Sequence, residues 1–152
     1  MTNLNISEYD GESLTVPESV TSLAVSNCPN LNNINFSENL TSLSVYTCPK
    51  LNTINLNEGL TSLIISSCSE LNNVNFHEGL TSLITQNCPK LDVIVPESVT
   101  SYKINDCKSV EFKNMIPFGK KTTSNYINNN QIKIVDGTII KVPSCTIDEW
   151  KT

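Results

Sequence analysis

The chain has 152 residues, enough for one domain, with 38% hydrophobic, 6% aromatic and 16% charged residues. That composition excludes collagen-like and charge-driven disordered chains. A net charge of −5, with no basic run interleaved with aromatics, argues against nucleic acid as a partner, since phosphates call for a basic footprint.

The N-terminal stretch MTNLNISEYDGESL has neither the basic start nor the apolar run of a signal peptide, and no segment reaches the length of a membrane span. A cytoplasmic location without membrane insertion is expected, the alternative being a secreted or cell-surface protein whose leader has been removed. Leu4 and Ile6 look like the strand pair of one earlier coil, with Tyr9 standing where the later coils carry cysteine. Residues 1–19 are expected to form an irregular N-terminal cap.

From Val20 onward the chain repeats itself. Val20-Thr21-Ser22-Leu23 returns as Leu40 to Leu43, Leu60 to Leu63, Leu80 to Leu83 and Val99 to Tyr102, at spacings of 20, 20, 20 and 19 residues. Cys28, Cys48, Cys68, Cys88 and Cys107 keep the same beat, as do Leu31, Leu51, Leu71 and Leu91, with Val110 taken as the last member. In the unit LTSLSVYTCPKLNTINLNEG, Leu43 with Val45 and Ile54 with Leu56 are period-two pairs, each a short strand with one apolar face. No window sustains a helical period. The reading is mainly β: a right-handed solenoid of about five 20-residue coils (20–39, 40–59, 60–79, 80–98 and 99–112), with little helix. One coil cannot bury its own apolar edge, but coils stacked about 4.8 Å apart turn identical positions into a continuous core.

The stretch LTSLSVYTCPKL resembles the leucine-rich-repeat pattern LxxLxLxxC in its cysteine-bearing form, and the VPESVTS segments are similar to the BspA-like, or Treponema-type, subfamily. Repeats of that subfamily run a few residues longer. FNIP-type repeats share a similar core. The resemblance covers residues 14–112, and it implies a parallel sheet that serves recognition, with adhesion at a cell or host surface, or substrate reception within a larger enzyme-linked protein, as alternative roles.

Beyond Val110 the beat is lost. Phe112, Met115, Ile116 and Phe118 look out of register, and 120–130 reads as polar loop. Ile132 to Val135 and Ile139 to Val142 flank Asp136-Gly137, a hairpin signal. Residues 113–152 are expected to form a C-terminal cap with a β-hairpin at 132–142, its strands covering the open sheet edge.

Residues able to do chemistry fit structural roles better. Cysteines recurring once per coil suit an inward ladder of reduced thiols, and parallel side chains make poor disulfides. No C-x2-C pair exists and His77 lies away from the cysteines, so no metal is expected. Cys145, outside the ladder, is the candidate for a reactive thiol. Glu18, Glu38, Glu58, Glu78 and Glu97 form a turn ladder rather than paired catalytic acids. A Cys–His mechanism needs the two in reach and His77 belongs to the opposite side of its coil; with no phosphate loop either, neither catalysis nor a cofactor is expected. Stacked Asn35, Asn55 and Asn75, and stacked Thr21, Thr41, Thr61, Thr81 and Thr100, read as hydrogen-bonding ladders; a lone Thr column is a weak match to ice-binding arrays. Sequons at Asn5, Asn35 and Asn39 bear glycans only in a secreted chain.

What varies between coils is the outward side of the first strand. Ala24, Ser44, Ile64, Ile84 and Lys103 occupy one column, Ser26, Tyr46, Ser66, Gln86 and Asn105 a second, and Asn27, Thr47, Ser67, Asn87 and Asp106 a third. Tyr46, Ile64 and Ile84 are expected to form an exposed apolar cluster rimmed by Gln86, Lys103 and Asp106. Such a patch suits a non-catalytic module that binds a partner protein, the chain itself being a monomer.

Overall fold

The alternation in Leu23-Ala24-Val25 and its repeats gives each coil a strand that is apolar on one side only. The computed structural model, which describes residues 2–112 and the segments 126–128, 130–134, 139–142 and 145–146, shows these strands stacked in parallel. β1 (Thr2–Ser7), β3 (Val20–Ser26), β5 (Ser42–Tyr46), β7 (Ser62–Ser66), β9 (Ser82–Val95) and β10 (Ser101–Phe112) follow one another across a single sheet. The protein is a mainly β solenoid of about six turns, and no helix occurs among the described residues.

On the opposite side run the short return strands. β2 (Ser13–Thr15) pairs with β4 (Asn33–Asn35), and β6 (Thr53–Ile54) with β8 (Asn73–Val74), all in parallel. Between the two layers lie the ladders. Leu23, Leu43, Leu63 and Leu83 are at most 1% exposed, as are the Leu31 to Leu91 and Leu40 to Leu80 columns and Cys28, Cys48, Cys68 and Cys88. Each Leu burial is worth roughly 1.5–3 kcal/mol, and stacking makes those contributions a sum over neighbouring coils.

Three register details differ from the sequence reading. First, residues 1–19 are more regular than a cap need be: as their alternation suggests, Leu4 pairs with Leu23 and Ile6 with Val25. Tyr9, however, does not enter the cysteine column: it is 37% exposed, its hydroxyl donates to the Ser13 carbonyl at 2.8 Å, and its ring covers Gly11. A Cβ at Gly11 would lie 2.4 Å from that ring, so glycine there makes room for it.

Second, the one-residue shortening of the coil at 80–98 falls just before its return strand. The inward pair is Val93 and Val95, two residues after Leu91 instead of the three that separate Leu31 from Ile34. Leu14 and Val16 are the matching inward pair of the first coil, and both pairs precede Val-Pro-Glu-Ser turns.

Third, Val110 pairs with Val93 rather than lying beneath Leu91, because the register slips between Cys107 and Ser109. Phe112 is accordingly in register, opposite Val95. β9 and β10 each continue round the corner from first strand to return strand, which is why they are long.

Past residue 112, β11 (Tyr126–Asn128) and β12 (Asn130–Ile134) pair in parallel with the two halves of β10. β13 (Ile139–Val142) lies antiparallel to β12, and β14 (Cys145–Thr146) antiparallel to β11. The Asp136-Gly137 turn, residues 113–125 and the Cys145 side chain lie outside what is described.

Candidate functional site

The outward columns expected from the repeat are set by strand register. Ser44, Ile64, Ile84 and Lys103 pair in succession across β5, β7, β9 and β10. Tyr46 pairs with Ser26 on one side and Ser66 on the other, and Ser66 pairs with Gln86. Ile64 and Ile84 are thus immediate cross-strand neighbours at about 4.8 Å, with Tyr46 one strand away on the diagonal. Gln86 shares the tyrosine's column at two strands' remove, and Lys103 follows Ile84.

Exposure follows from these neighbours. Flanked by two serines, the Tyr46 ring is 38% exposed, and among the described residues only Tyr9 is a comparably exposed large apolar side chain. Ile64 and Ile84 shield each other and are half-buried; Gln86 is half-buried and Lys103 exposed. The inward alternates, Leu63, Ile65 and Leu83, are fully buried.

Asp106 belongs to a different feature. It has φ 53°, and its column mates Glu8, Asn27, Thr47, Ser67 and Asn87 have φ between 53° and 59°. This column is a row of left-handed residues where each coil turns its first corner, not a flat part of the sheet. The conformation keeps the ladder intact: the Asn27, Thr47 and Ser67 amides donate to the carbonyls of Tyr46, Ser66 and Gln86 in the next coil. Asn and Asp tolerate this region, while a β-branched residue such as Thr47 does so at a cost. Sequence reasoning missed the column because no glycine marks it; the only signal was its run of short polar residues.

The cysteines follow directly from that corner. Each thiol donates to the carbonyl two residues before it, Cys28 to Ser26 (3.3 Å), Cys48 to Tyr46 (3.6 Å), Cys68 to Ser66 (3.6 Å), Cys88 to Gln86 (3.3 Å) and Cys107 to Asn105 (3.7 Å). Those of Tyr46, Ser66 and Gln86 already accept an amide from the preceding coil, so the thiol takes the second lone pair. Cysteine fits because it is a small hydrophobe with a weak donor. None of the five forms a disulfide, and all are buried.

Burial pushes the Cys48 thiol up to about 11. At Cys88 the Cys107 thiol pulls down while the Cys68 thiol and burial push up, and the balance again stands at about 11. Hydrogen bonding with Cys88 draws Cys68 down, and the same neighbour, with burial, drives Cys107 strongly up. Thiols that are both buried and protonated are poor nucleophiles.

Other ladders are likewise engaged. The Thr41, Thr61, Thr81 and Thr100 hydroxyls each donate to the carbonyl of the threonine one coil before, at 3.1–3.3 Å. The five turn glutamates are exposed. His77 serves its own turn, its Nδ1 accepting the Gly79 amide at 3.0 Å, where a Cβ on Gly79 would crowd the Glu58 carbonyl at 2.9 Å. Among the described residues, no three His, Cys, Asp or Glu side chains converge as metal ligands. No helix there is long and apolar enough to cross a membrane. Asn5 and Asn35 are exposed, and the Asn39 amide is tied to the Glu18 carbonyl at 3.0 Å.

Comparison with protein-family models, with curated proteins and with solved structures finds no match to this chain.

Proposed function

We propose that this solenoid is a non-catalytic recognition module of the leucine-rich-repeat kind, closest in motif to the BspA-like form, that binds a partner protein through the outward face of its parallel sheet. The observation that carries the reading is the Tyr46, Ile64 and Ile84 cluster: an exposed ring beside two paired isoleucines, on a face whose other members are mostly serine and asparagine. Aromatic and aliphatic anchors inside a neutral polar surround are the usual core of a protein interface. Gln86 and Lys103 extend the patch along the solenoid, and Asp106 borders it on the left-handed ridge. Burial of the thiols and solvation of the glutamate ladder favour a role without catalysis. Net charge disfavours nucleic acid, and a cytoplasmic setting suits a row of reduced thiols.

The test is an affinity capture from the source cell, comparing the natural chain with a Tyr46→Ala/Ile64→Ser/Ile84→Ser variant shown to be folded by circular dichroism. A partner held by the first and lost by the second supports the sheet face as the site. A partner held equally by both removes it.

A further inference from the structure

The return layer of the solenoid is not continuous. β2 pairs with β4 and β6 with β8, but no pairing joins β4 to β6, the return strands of the coils at 20–39 and 40–59. A cavity of about 570 Å³ opens at that break, and Phe36, Glu38, Asn55, Asn57 and Glu58 are among its walls. The asparagine column registers the same break. Asn75 binds the Leu56 backbone through both atoms of its side-chain amide. Asn55, one coil earlier, makes no such bond to Phe36, and its exposed carboxamide borders the cavity instead. Asn57 ties the two coils together, its Nδ2 donating to the Glu38 carbonyl at 3.1 Å and the Leu40 carbonyl at 2.8 Å, while its buried Oδ1 has no donor. Phe36 is only half-buried, whereas Leu56 and Phe76 in the same column are buried.

We propose that this cavity binds an alkylammonium group, its charge met by Glu38 and Glu58 and its methylene chain laid along Phe36. The lining decides the ligand class. Both carboxylates are exposed, they belong to neighbouring coils, and the lining holds no Lys or Arg to neutralise them. An ammonium has three donors and no acceptor. The two carboxylates and the Asn55 Oδ1 supply three acceptors, whereas the planar fork of a guanidinium is satisfied by one carboxylate. The Phe36 ring adds a cation–π attraction and, with Leu56, an apolar wall for the chain.

Glutamates alone would not select this place, since the same acid recurs along the whole turn ladder. A half-buried ring, an unclasped asparagine and a gap between return strands occur together only here among the described residues. The cavity lies on the return side, away from the Tyr46 cluster, so it stands independently of the recognition role proposed for the sheet face.

Amide NMR titration of the full chain with n-butylammonium chloride tests this, with n-butanol as the neutral control. The expected dissociation constant is on the order of 1 mM at low salt, in keeping with so small a ligand, and it weakens as salt is added. Shifts are expected at residues 36–38 and 55–59. Glu38→Gln/Glu58→Gln is expected to weaken binding at least about ten-fold. Glu12→Gln/Glu18→Gln removes the same charge from exposed positions outside the cavity and should leave binding within about two-fold. Phe36→Leu copies Leu56 of the next coil, so it keeps the core, and should weaken binding about three-fold. Putrescine and N-acetyl-lysine methylamide separate the sources of the group: tighter binding of the first supports a free polyamine, and of the second a partner's lysine. No shifts at about 20 mM butylammonium overturn the proposal. So do an equal response to butanol, equal losses in the two double variants, or calcium chloride binding at these residues where the amine does not.

Discussion

The side-chain amide of Asn75 clasps the backbone of Leu56 in the preceding coil, Nδ2 donating to the Leu56 carbonyl at 3.1 Å and Oδ1 accepting the Leu56 amide at 2.5 Å. A side chain thereby supplies both bonds that a paired strand would have made, at a point where β6 has ended. Asn75→Ala is expected to cost about 1 kcal/mol, the net worth of such bonds at a partly buried site. Asn75→Asp keeps the acceptor but sets a carboxylate against a carbonyl, and should be no better. Urea midpoints of the three proteins check this.

Thr85 is the one polar residue in its column, between Ile65 and Ile104, and is fully buried, its hydroxyl near the Cys107 thiol but outside good hydrogen-bond geometry with any group. Thr85→Val keeps the shape and removes the orphan, so it should stabilise the fold by about 1 kcal/mol. The reverse change one coil earlier, Ile65→Thr, should destabilise by more, since it adds an orphan and deletes a methylene-sized volume. Thermal melts of both variants decide the matter.

Thr47 holds φ 55° with a β-branched side chain. Thr47→Asn, and Thr47→Gly despite its greater freedom when unfolded, are each expected to raise stability by about 0.5–1 kcal/mol. The reverse substitution in the same column, Asn87→Thr, should lower it by a similar amount. Equilibrium unfolding of these variants reads the sign directly.

The raised thiols give a pH signature. Cys48 and Cys88 ionise near 11 when folded, against 9.0 for an unperturbed thiol. Their protonated form is favoured in the folded chain, so the stability they confer is complete below about pH 9 and falls as pH rises towards 11. Cys48→Ala should lose less stability over that interval than the natural chain. It should be weaker at neutral pH by about 1 kcal/mol, having given up the bond to the Tyr46 carbonyl. Denaturant midpoints from pH 7 to 11 for the two proteins test both statements.

Much of this architecture is written in the order of residues. A motif returning every 20 residues with two period-two pairs can bury its apolar side only by stacking, so the mainly β solenoid and its inward leucine and cysteine columns follow from sequence alone. The same logic placed Ile64 beside Ile84 and Tyr46 on the diagonal, because register in a stack is inherited from the repeat.

What sequence could not settle were the places where the count changes or the backbone turns. A 19-residue coil has lost one residue, but only packing reveals that the loss falls before Val93 and not in the turn after it. Val110 joins Val93 because the register slips by two residues at the corner, between Cys107 and Ser109. Tyr9 leaves the cysteine column because a ring does not fit where a thiol does. The left-handed ridge that carries Asp106 arises from the need to turn a corner while every amide stays bonded to the next coil. That demand comes from the neighbouring coil, and it becomes visible only in the tertiary structure.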